Sequence, residues 1–200
     1  DFDTLPNQFV LKCTHDSGGI VICKDKSKFD KEGARQIINK SLQRDFYLIA
    51  REWPYKNVRR RILAEEYIDE LGNADLLDYK MYSFHGEPKL TVVCSERFSK
   101  TGTRMNFYDI DWEPMGIHFG HYPPLPTEFP KPATYEEMKR LTAELSKDCP
   151  FLRVDFYEIK GRLFIGELTF FPGAGFEKFR PMSKDYELGE WLHLETVHRG

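Results

Sequence analysis

Two carboxylates, Asp155 and Glu167, lie in neighbouring segments whose composition is typical of β-strands. Both segments are rich in β-branched and aromatic residues, and a Lys-Gly pair at 160–161 is the break between them, which predicts an antiparallel hairpin. Side chains alternate between the two faces of a strand, so Arg153 shares a face with Asp155 and Thr169 shares one with Glu167. The hairpin therefore carries residues that could bind a cation.

The length of the hairpin loop decides whether Asp155 and Glu167 meet. A three-residue connection with Gly161 in the left-handed conformation keeps them on one face, whereas a two-residue connection places them on opposite faces. We predict the three-residue form. Two carboxylates with Arg153 at their edge suit a hard divalent ion such as Mg²⁺ bound to phosphates. The alternative is a hairpin with solvated charges on its outer face, but a carboxylate within the apolar run 164–171 is costly to bury without a positive partner.

Composition predicts one domain, or two small lobes that share a cleft, because 200 residues with 40% hydrophobic content can bury an ample core. The net charge of -3 gives no general attraction to nucleic acid. The basic run at 59–61 is dense, but such runs are more often a solvated face than a binding site.

Cysteine usage indicates a reducing, cytoplasmic setting, since the four cysteines are widely spaced and form no CxxC motif. The sequence shows no signal peptide and no apolar run near the ~20 residues that a bilayer span needs, so any membrane role would be peripheral. His118 and His121 are interpreted as loop residues rather than metal ligands. We also expect the natural protein to have more sequence before Asp1.

The N-terminal region predicts a strand at 8–12, a glycine loop and a second strand at 20–23. Gly18 and Gly19 would let backbone N–H groups approach an anion, and Lys12 would supply a charge for phosphate. A GxxxxGK[ST] P-loop is absent, and glycine at a hairpin turn needs no ligand. A helix is predicted over 29–44 with Asp30 as its N-cap and an apolar stripe of Ala34, Ile37, Ile38 and Leu42.

The middle and C-terminal regions predict further strands and two helices. A strand over 59–68 has an acidic end, and a strand over 76–84 places Asp78 and Lys80 on one face. We predict that the polar stretch 95–116, which contains Arg97, Lys100 and Arg104, is a mobile loop. A capping box at 134–137 begins a helix that ends near residue 148, and a last helix is predicted over 186–194.

The order of these elements resembles the ATP-grasp fold of D-alanine:D-alanine ligase and biotin carboxylase. The Arg-x-Asp motif at 153–155 and the Glu-x-Thr-x-x-Pro-Gly motif at 167–173 resemble the metal-binding strands of that fold. The segments 9–12, 17–19, 78–80 and 166–176 are most similar to the TupA-like ATP-grasp family, which is named after teichuronopeptide synthesis and occurs among capsule polysaccharide genes. The resemblance covers nearly all of the chain.

This resemblance implies an α+β ATP-grasp fold with a small lobe over 8–75, a larger lobe over 76–200 and the nucleotide between them. The leading lobe of the full fold is not visible ahead of Asp1. The implied cofactors are ATP and Mg²⁺, with one or two ions.

The resemblance also implies roles for individual residues. Lys12 would contact the α or β phosphate, and Gly18 and Gly19 would close over the triphosphate. Glu65 would face the adenine amino group, while the backbone on either side of Tyr67, at Glu66 and Ile68, would contact the ring edge. Asp78 is the candidate for the ribose hydroxyls and Lys80 for a phosphate. Asp155 and Glu167 would hold Mg²⁺, Arg153 would steady the γ phosphate or an acyl phosphate, and Thr169 stands where many such ligases have an asparagine metal ligand.

The implied activity is that of an ATP-dependent carboxylate-amine ligase that acts through an acyl phosphate in capsule or cell-surface polysaccharide synthesis. The implied acceptors are a uronic-acid-containing glycan and an amino acid. Two alternatives stay open: an ATP-dependent glycan kinase, and a non-catalytic nucleotide-binding accessory module of polysaccharide assembly. No nucleic-acid partner and no integral membrane segment are expected.

Overall fold

The computed structural model describes residues 1–68, 76–96, 99–100 and 102–194. The chain divides into two compact units, Asp1–Asp69 and Glu70–Gly200. The lobe boundary predicted from the sequence, 75/76, adjoins a stretch that lies outside the described residues. Within the described residues, no helix is both long and apolar enough to cross a membrane.

The first unit is a three-stranded antiparallel sheet with one long helix against it. Its strands are arranged in the order β2-β1-β3. The elements are β1 (Phe9–Cys13), β2 (Val21–Cys23), α1 (Lys31–Gln43), α2 (Phe46–Ala50) and β3 (Ile62–Glu66). A 3₁₀ helix, Trp53–Asn57, lies between α2 and β3.

Helix α1 packs on this sheet through its apolar side, as predicted. The Asp30 carboxylate accepts a hydrogen bond from Gly33 N–H at 2.9 Å and so caps the first turn. Ala34 and Ile38 are buried in the same cluster as the strand residues. Ile37, which the pattern assigned to the stripe, is 47% exposed, because its position is at the margin of the line that 34, 38 and 42 form.

The second unit is a five-stranded antiparallel sheet, in the order β6-β5-β4-β8-β9, with helices against it. Its sheet strands are β4 (Asp78–Phe84), β5 (Glu87–Ser95), β6 (Arg104–Asp109), β8 (Phe151–Ile159) and β9 (Arg162–Thr169). The remaining elements are β7 (His118–Phe119), α3 (Tyr135–Ser146), β10 (Phe179–Arg180) and α4 (Met182–Gly189). The α+β prediction is confirmed.

Each face of this sheet has its own buried cluster. Tyr79 and Met81 of β4 point to the face that α3 covers, together with Met138 of that helix. Tyr82 and Phe84 point to the other face, where the second cluster includes residues of β7 and α4. Because faces alternate along β4, Asp78 and Lys80 lie on the same side as Tyr82.

Several local predictions were wrong. The stretch 95–116 is not wholly a loop, because β6 runs through it with Phe107 and Tyr108 buried. Arg97 lies outside the described residues, Lys100 is exposed, and Arg104 lies 3.6 Å from Glu96. His118 and His121 were predicted in a loop, yet His118 belongs to β7 and pairs with Arg180 of β10.

The capping box at the start of α3 is also absent. Thr134 caps no N–H with its side chain, and instead both its backbone N–H and its hydroxyl donate to Glu158 Oε2, at 2.7 and 2.6 Å. A half-buried acceptor from strand β8 has replaced the local cap. The last helix begins at Met182, after Pro181, and ends at Gly189, so it starts and stops earlier than predicted.

Candidate functional site

The β8–β9 hairpin places the two predicted acids opposite each other, but by a different route from the one expected. Its turn has two residues, since Ile159 pairs with Arg162, and the three-residue prediction is wrong. Lys160 and Gly161 both have positive φ, 50° and 72°, as a type I′ turn requires. A two-residue turn alone would have put the acids on opposite faces.

A β-bulge at Gly166 restores the parity. Phe156 pairs with Ile165 and Asp155 pairs with Glu167, so Gly166 is the extra residue. A Cβ at this position would lie 2.6 Å from the ring of Tyr157, which excludes larger residues from the bulge as it stands. Beyond the bulge every pairing is shifted by one, and Arg153 lies opposite Thr169.

Asp155 is the centre of a charged cluster on this face of the sheet. Arg153 holds both of its oxygens, with Nε at 2.6 Å from Oδ1 and an Nη at 2.8 Å from Oδ2. Lys80, directly opposite on β4, lies 2.5 Å from Asp155 Oδ2 and 2.7 Å from Asp78 Oδ2. Asp78 and Asp155 are 1% and 2% exposed, so these are ion pairs removed from water.

The carboxylates keep the two cations charged. Burial disfavours the ammonium of Lys80, but attraction from Asp155 and Asp78 outweighs burial and raises its pKa. Burial also opposes the charge of Arg153, and the pairing with Asp155 raises the pKa of the guanidinium. The sequence placed only Arg153 beside the acid pair and assigned Lys80 to a phosphate, so it did not predict the contact of Lys80 with Asp155. With Asp78, Asp155 and Glu167 set against these two cations, the cluster carries a formal charge of -1.

Glu167 differs from Asp155 in its exposure. Its side chain is 51% exposed, accepts a hydrogen bond from the Thr169 hydroxyl at 2.7 Å and lies 3.8 Å from Arg153. The Thr169 hydroxyl is therefore a donor to Glu167 in this arrangement. Among the described residues, no group of three His, Cys, Asp or Glu side chains is placed to hold a metal ion.

The donor types nonetheless fit Mg²⁺, which prefers carboxylate oxygens supplemented by water and phosphate. Asp155 and Glu167 offer two such carboxylates from adjacent positions on one face. Since both oxygens of Asp155 contact cations, binding an ion there would require an exchange of partners within the cluster.

In the first unit, the predicted nucleotide residues Lys12 and Glu65 form an ion pair at 2.7 Å. Lys12 pairs with Leu63 in the sheet, so Glu65 is its diagonal neighbour on β3. Both side chains are partly exposed, at 35% and 42%. Tyr67 is half-buried beneath Lys24, whose Nζ lies 5.5 Å from the ring centre, while Glu66 and Ile68 are exposed.

The foot of the glycine loop is bound to helix α1. The Asp16 side chain, 1% exposed, accepts from the Ser41 hydroxyl at 2.6 Å and lies 3.3 Å from Arg44. Gly19 lies so close that a Cβ there would be 2.4 Å from the Ser41 oxygen, whereas Gly18 faces open space with φ 98°. Sequence reasoning missed Asp16 and Ser41, because a contact across 25 residues has no local pattern.

The predicted site residues thus fall into two groups, one in each unit. Comparison with known proteins gives a family match: a model described as TupA-like ATPgrasp matches residues 1–193. Among solved structures, 21 chains are similar. One is the D-alanine–D-alanine ligase from Bacillus anthracis complexed with ATP, 16% identical, with a TM-score of 0.48 over 95% of this chain and 50% of that one. The chain spans about half the length of that ligase, and no curated protein matches it.

Proposed function

The chain belongs to the TupA-like ATP-grasp family and has the α+β ATP-grasp fold, and from that premise we propose that it binds ATP with Mg²⁺ and activates a carboxylate for coupling to an amine. The observation that carries the proposal is the cluster of Lys80, Arg153, Asp155 and Glu167 on one face of the second unit's sheet. Such a site neutralises and positions phosphate charge without a protein nucleophile.

The proposed reaction has two steps. A carboxylate oxygen of the acceptor attacks the γ phosphorus, the bond to the bridging oxygen breaks, and ADP leaves with that electron pair. The amine nitrogen then attacks the carbonyl carbon of the acyl phosphate, phosphate departs, and the nitrogen loses a proton to give the amide. When bound, Mg²⁺ supplies positive charge that offsets the phosphate oxygens.

We assign each residue of the cluster a separate role. Asp155 and Glu167 would hold Mg²⁺, and Thr169 would orient Glu167 through their hydrogen bond. Arg153 and Lys80 are the cations available to phosphate oxygens once their contacts with Asp155 loosen. Burial of Asp78 against Lys80 supports a role in positioning that lysine, and its contact with a ribose stays a prediction.

In the first unit we propose that Lys12 contacts the α or β phosphate and that the Gly18 loop closes over the triphosphate. Glu65 would accept from the adenine amino group, and the residues 66–68 would contact the ring edge through the backbone. The ion pair between Lys12 and Glu65 holds both side chains in place without nucleotide, and it would be exchanged for contacts with ATP. Guanine, which presents a carbonyl at the equivalent position, should bind less well.

We further propose a uronic-acid-containing glycan and an amino acid as the acceptors, and capsule or cell-surface polysaccharide synthesis as the setting. The support is the similarity of motifs to the TupA-like family. A cytoplasmic location is supported by the free thiols of Cys13, Cys23 and Cys149, which suit a reducing compartment.

Calorimetry with ATP and Mg²⁺ tests the binding step. Lys12→Ala should weaken binding by tenfold or more, if a phosphate-directed charge contributes about 1.5–3 kcal/mol. Lys28→Ala, which removes an exposed lysine outside the proposed site, is the matched control. ATP affinity equal in the Lys12 and Lys28 variants would contradict the assignment.

Product analysis by mass spectrometry tests the reaction class. Release of ADP and phosphate with an amide product supports the ligase. A phosphorylated glycan would indicate the kinase alternative, and ATP binding without turnover would indicate the accessory module.

A further inference from the structure

A segment at 44–61 in the first unit combines positive charge with exposed apolar side chains, and we call it the basic-apolar patch. It contains six basic and two acidic residues, a local charge of +4 in a chain whose net charge is -3. None of its residues is among those proposed to contact ATP, although Arg44 contacts Asp16 at the foot of the glycine loop. We propose that this patch binds the surface of an anionic lipid bilayer.

The apolar part of the patch is poorly buried. Leu48 and Ile49 of helix α2 are 58% and 61% exposed, and Trp53 at the start of the 3₁₀ helix is 58% exposed. Exposed apolar side chains gathered in one short segment mark a candidate interaction surface. Burial of such side chains among acyl chains gives interfacial segments their affinity for membranes.

Aromatic contacts within the patch join its two short helices, while the apolar side chains named above stay exposed. Phe46 packs edge to face on Tyr55 with ring centres 4.8 Å apart, and Tyr47 packs on Trp53 at 6.0 Å. These contacts join α2 to the 3₁₀ helix, so Leu48 and Ile49 are presented on a structured segment.

The charged part has the sign that anionic lipid headgroups require. Lys56 lies 4.2 Å from the ring centre of Trp53, and Arg51 lies 5.8 Å from that of Tyr47. Arg59 and Arg61, which follow the 3₁₀ helix in the chain, are also exposed. Tryptophan with neighbouring lysine or arginine is the combination found at membrane–water interfaces.

Charge alone would also attract an acidic polysaccharide. Such a polymer offers no apolar phase, so it would leave Leu48 and Ile49 as exposed as they are now. An anionic bilayer offers headgroup charge to the basic side chains and acyl chains to the apolar ones. The lipid surface is therefore the preferred ligand.

Flotation with vesicles tests the proposal on the whole chain. Vesicles of phosphatidylcholine with about 30% phosphatidylglycerol should carry the protein, while pure phosphatidylcholine should not. Binding should fall when ionic strength rises from roughly 0.05 M to 0.5 M, because salt screens the headgroup charge. No partition onto the anionic vesicles at low salt would overturn the proposal.

Two pairs of substitutions separate charge from apolar contact. Arg59→Gln with Arg61→Gln should weaken vesicle binding about 30-fold, since each basic residue near the surface contributes a factor of roughly five. Leu48→Gln with Ile49→Gln should weaken it about tenfold without a change of charge. Circular dichroism should show both variants folded, because the replaced side chains are exposed.

Lys100→Gln with Lys178→Gln is the matched control, since it removes the same charge at exposed positions in the second unit. The control should change vesicle binding by less than about twofold. An equal loss of vesicle binding in the control and patch variants would show that only the overall charge matters, and it would refute the proposed binding site.

Removal of the protein from vesicles by polygalacturonate at equal charge concentration would instead identify an acidic glycan as the ligand. ATP affinity, measured on each variant, should stay unchanged, so a failure here is distinct from a failure of the ATP site.

Discussion

Neutralising either acid of the hairpin should abolish ATP turnover, yet the two changes should have very different effects on stability. Asp155 is 2% exposed and is the carboxylate that both Arg153 and Lys80 contact. Asp155→Asn therefore leaves Lys80 with Asp78 alone and Arg153 with the more distant Glu167. Breaking a buried ion pair from one side costs about 3–5 kcal/mol. Glu167 is half exposed and 3.8 Å from Arg153, so Glu167→Gln should cost no more than about 1 kcal/mol.

Sequence reasoning alone would predict that both variants stay as stable as the parent or become slightly more so, because two neighbouring carboxylates repel each other. The structure reverses this expectation for Asp155. The cluster already holds two cations, and Asp155 is the residue that both of them contact.

Urea unfolding of the second unit measures the difference. Trp53 is the tryptophan of the first unit, so a Trp53→Phe background leaves Trp112 and Trp191 as reporters of the second. In that background, Asp155→Asn should lower the free energy of unfolding by at least about 2 kcal/mol more than Glu167→Gln. Equal losses in the two variants would refute the picture of Asp155 as a buried counter-ion. Wild-type Mg²⁺-dependent turnover in either variant would refute the site itself.

Three further results are expected. Gly166→Ala should destabilise the hairpin by about 1–3 kcal/mol, because its Cβ would clash with the Tyr157 ring, and a Tyr157→Ser background should relieve that loss in urea unfolding. Ser41→Ala should leave the buried Asp16 short of a donor, cost about 1–3 kcal/mol and speed hydrogen exchange at residues 17–19, whereas unchanged exchange would show that the loop is not held there. Burial raises the pKa of Tyr82 to about 12. The contribution of Tyr82 to the free energy of unfolding is therefore complete below pH 10 and is lost as pH rises from 10 through 12. In unfolding experiments at alkaline pH, Tyr82→Phe should reduce this loss of stability.

Much of the architecture follows from local patterns in the sequence. The strands β1, β4, β8 and β9 and the helices α1 and α3 each have an apolar periodicity that a single segment displays. Asp30 caps α1 as predicted, since that cap needs only residues within one turn. The predictions for β6 and for the start of α3 were wrong because tertiary contacts outweigh local preference there. Phe107 of β6 is buried in the sheet, and Thr134 donates to Glu158 instead of capping α3.

The sequence by itself determined that Arg153, Asp155, Glu167 and Thr169 would lie on two paired strands. It also determined that Arg153 and Asp155 share one face of their strand, and that Glu167 and Thr169 share one face of theirs. Whether the two acids share a face depended on single-residue events, a two-residue turn and a bulge at Gly166, which offset each other. Only the tertiary structure decided that Lys80 joins Asp155, because their contact spans 75 residues and arises from the pairing of β4 with β8. Side-chain periodicity is a property of one strand, whereas register and charge pairing belong to two strands at once, and one inserted residue changes both.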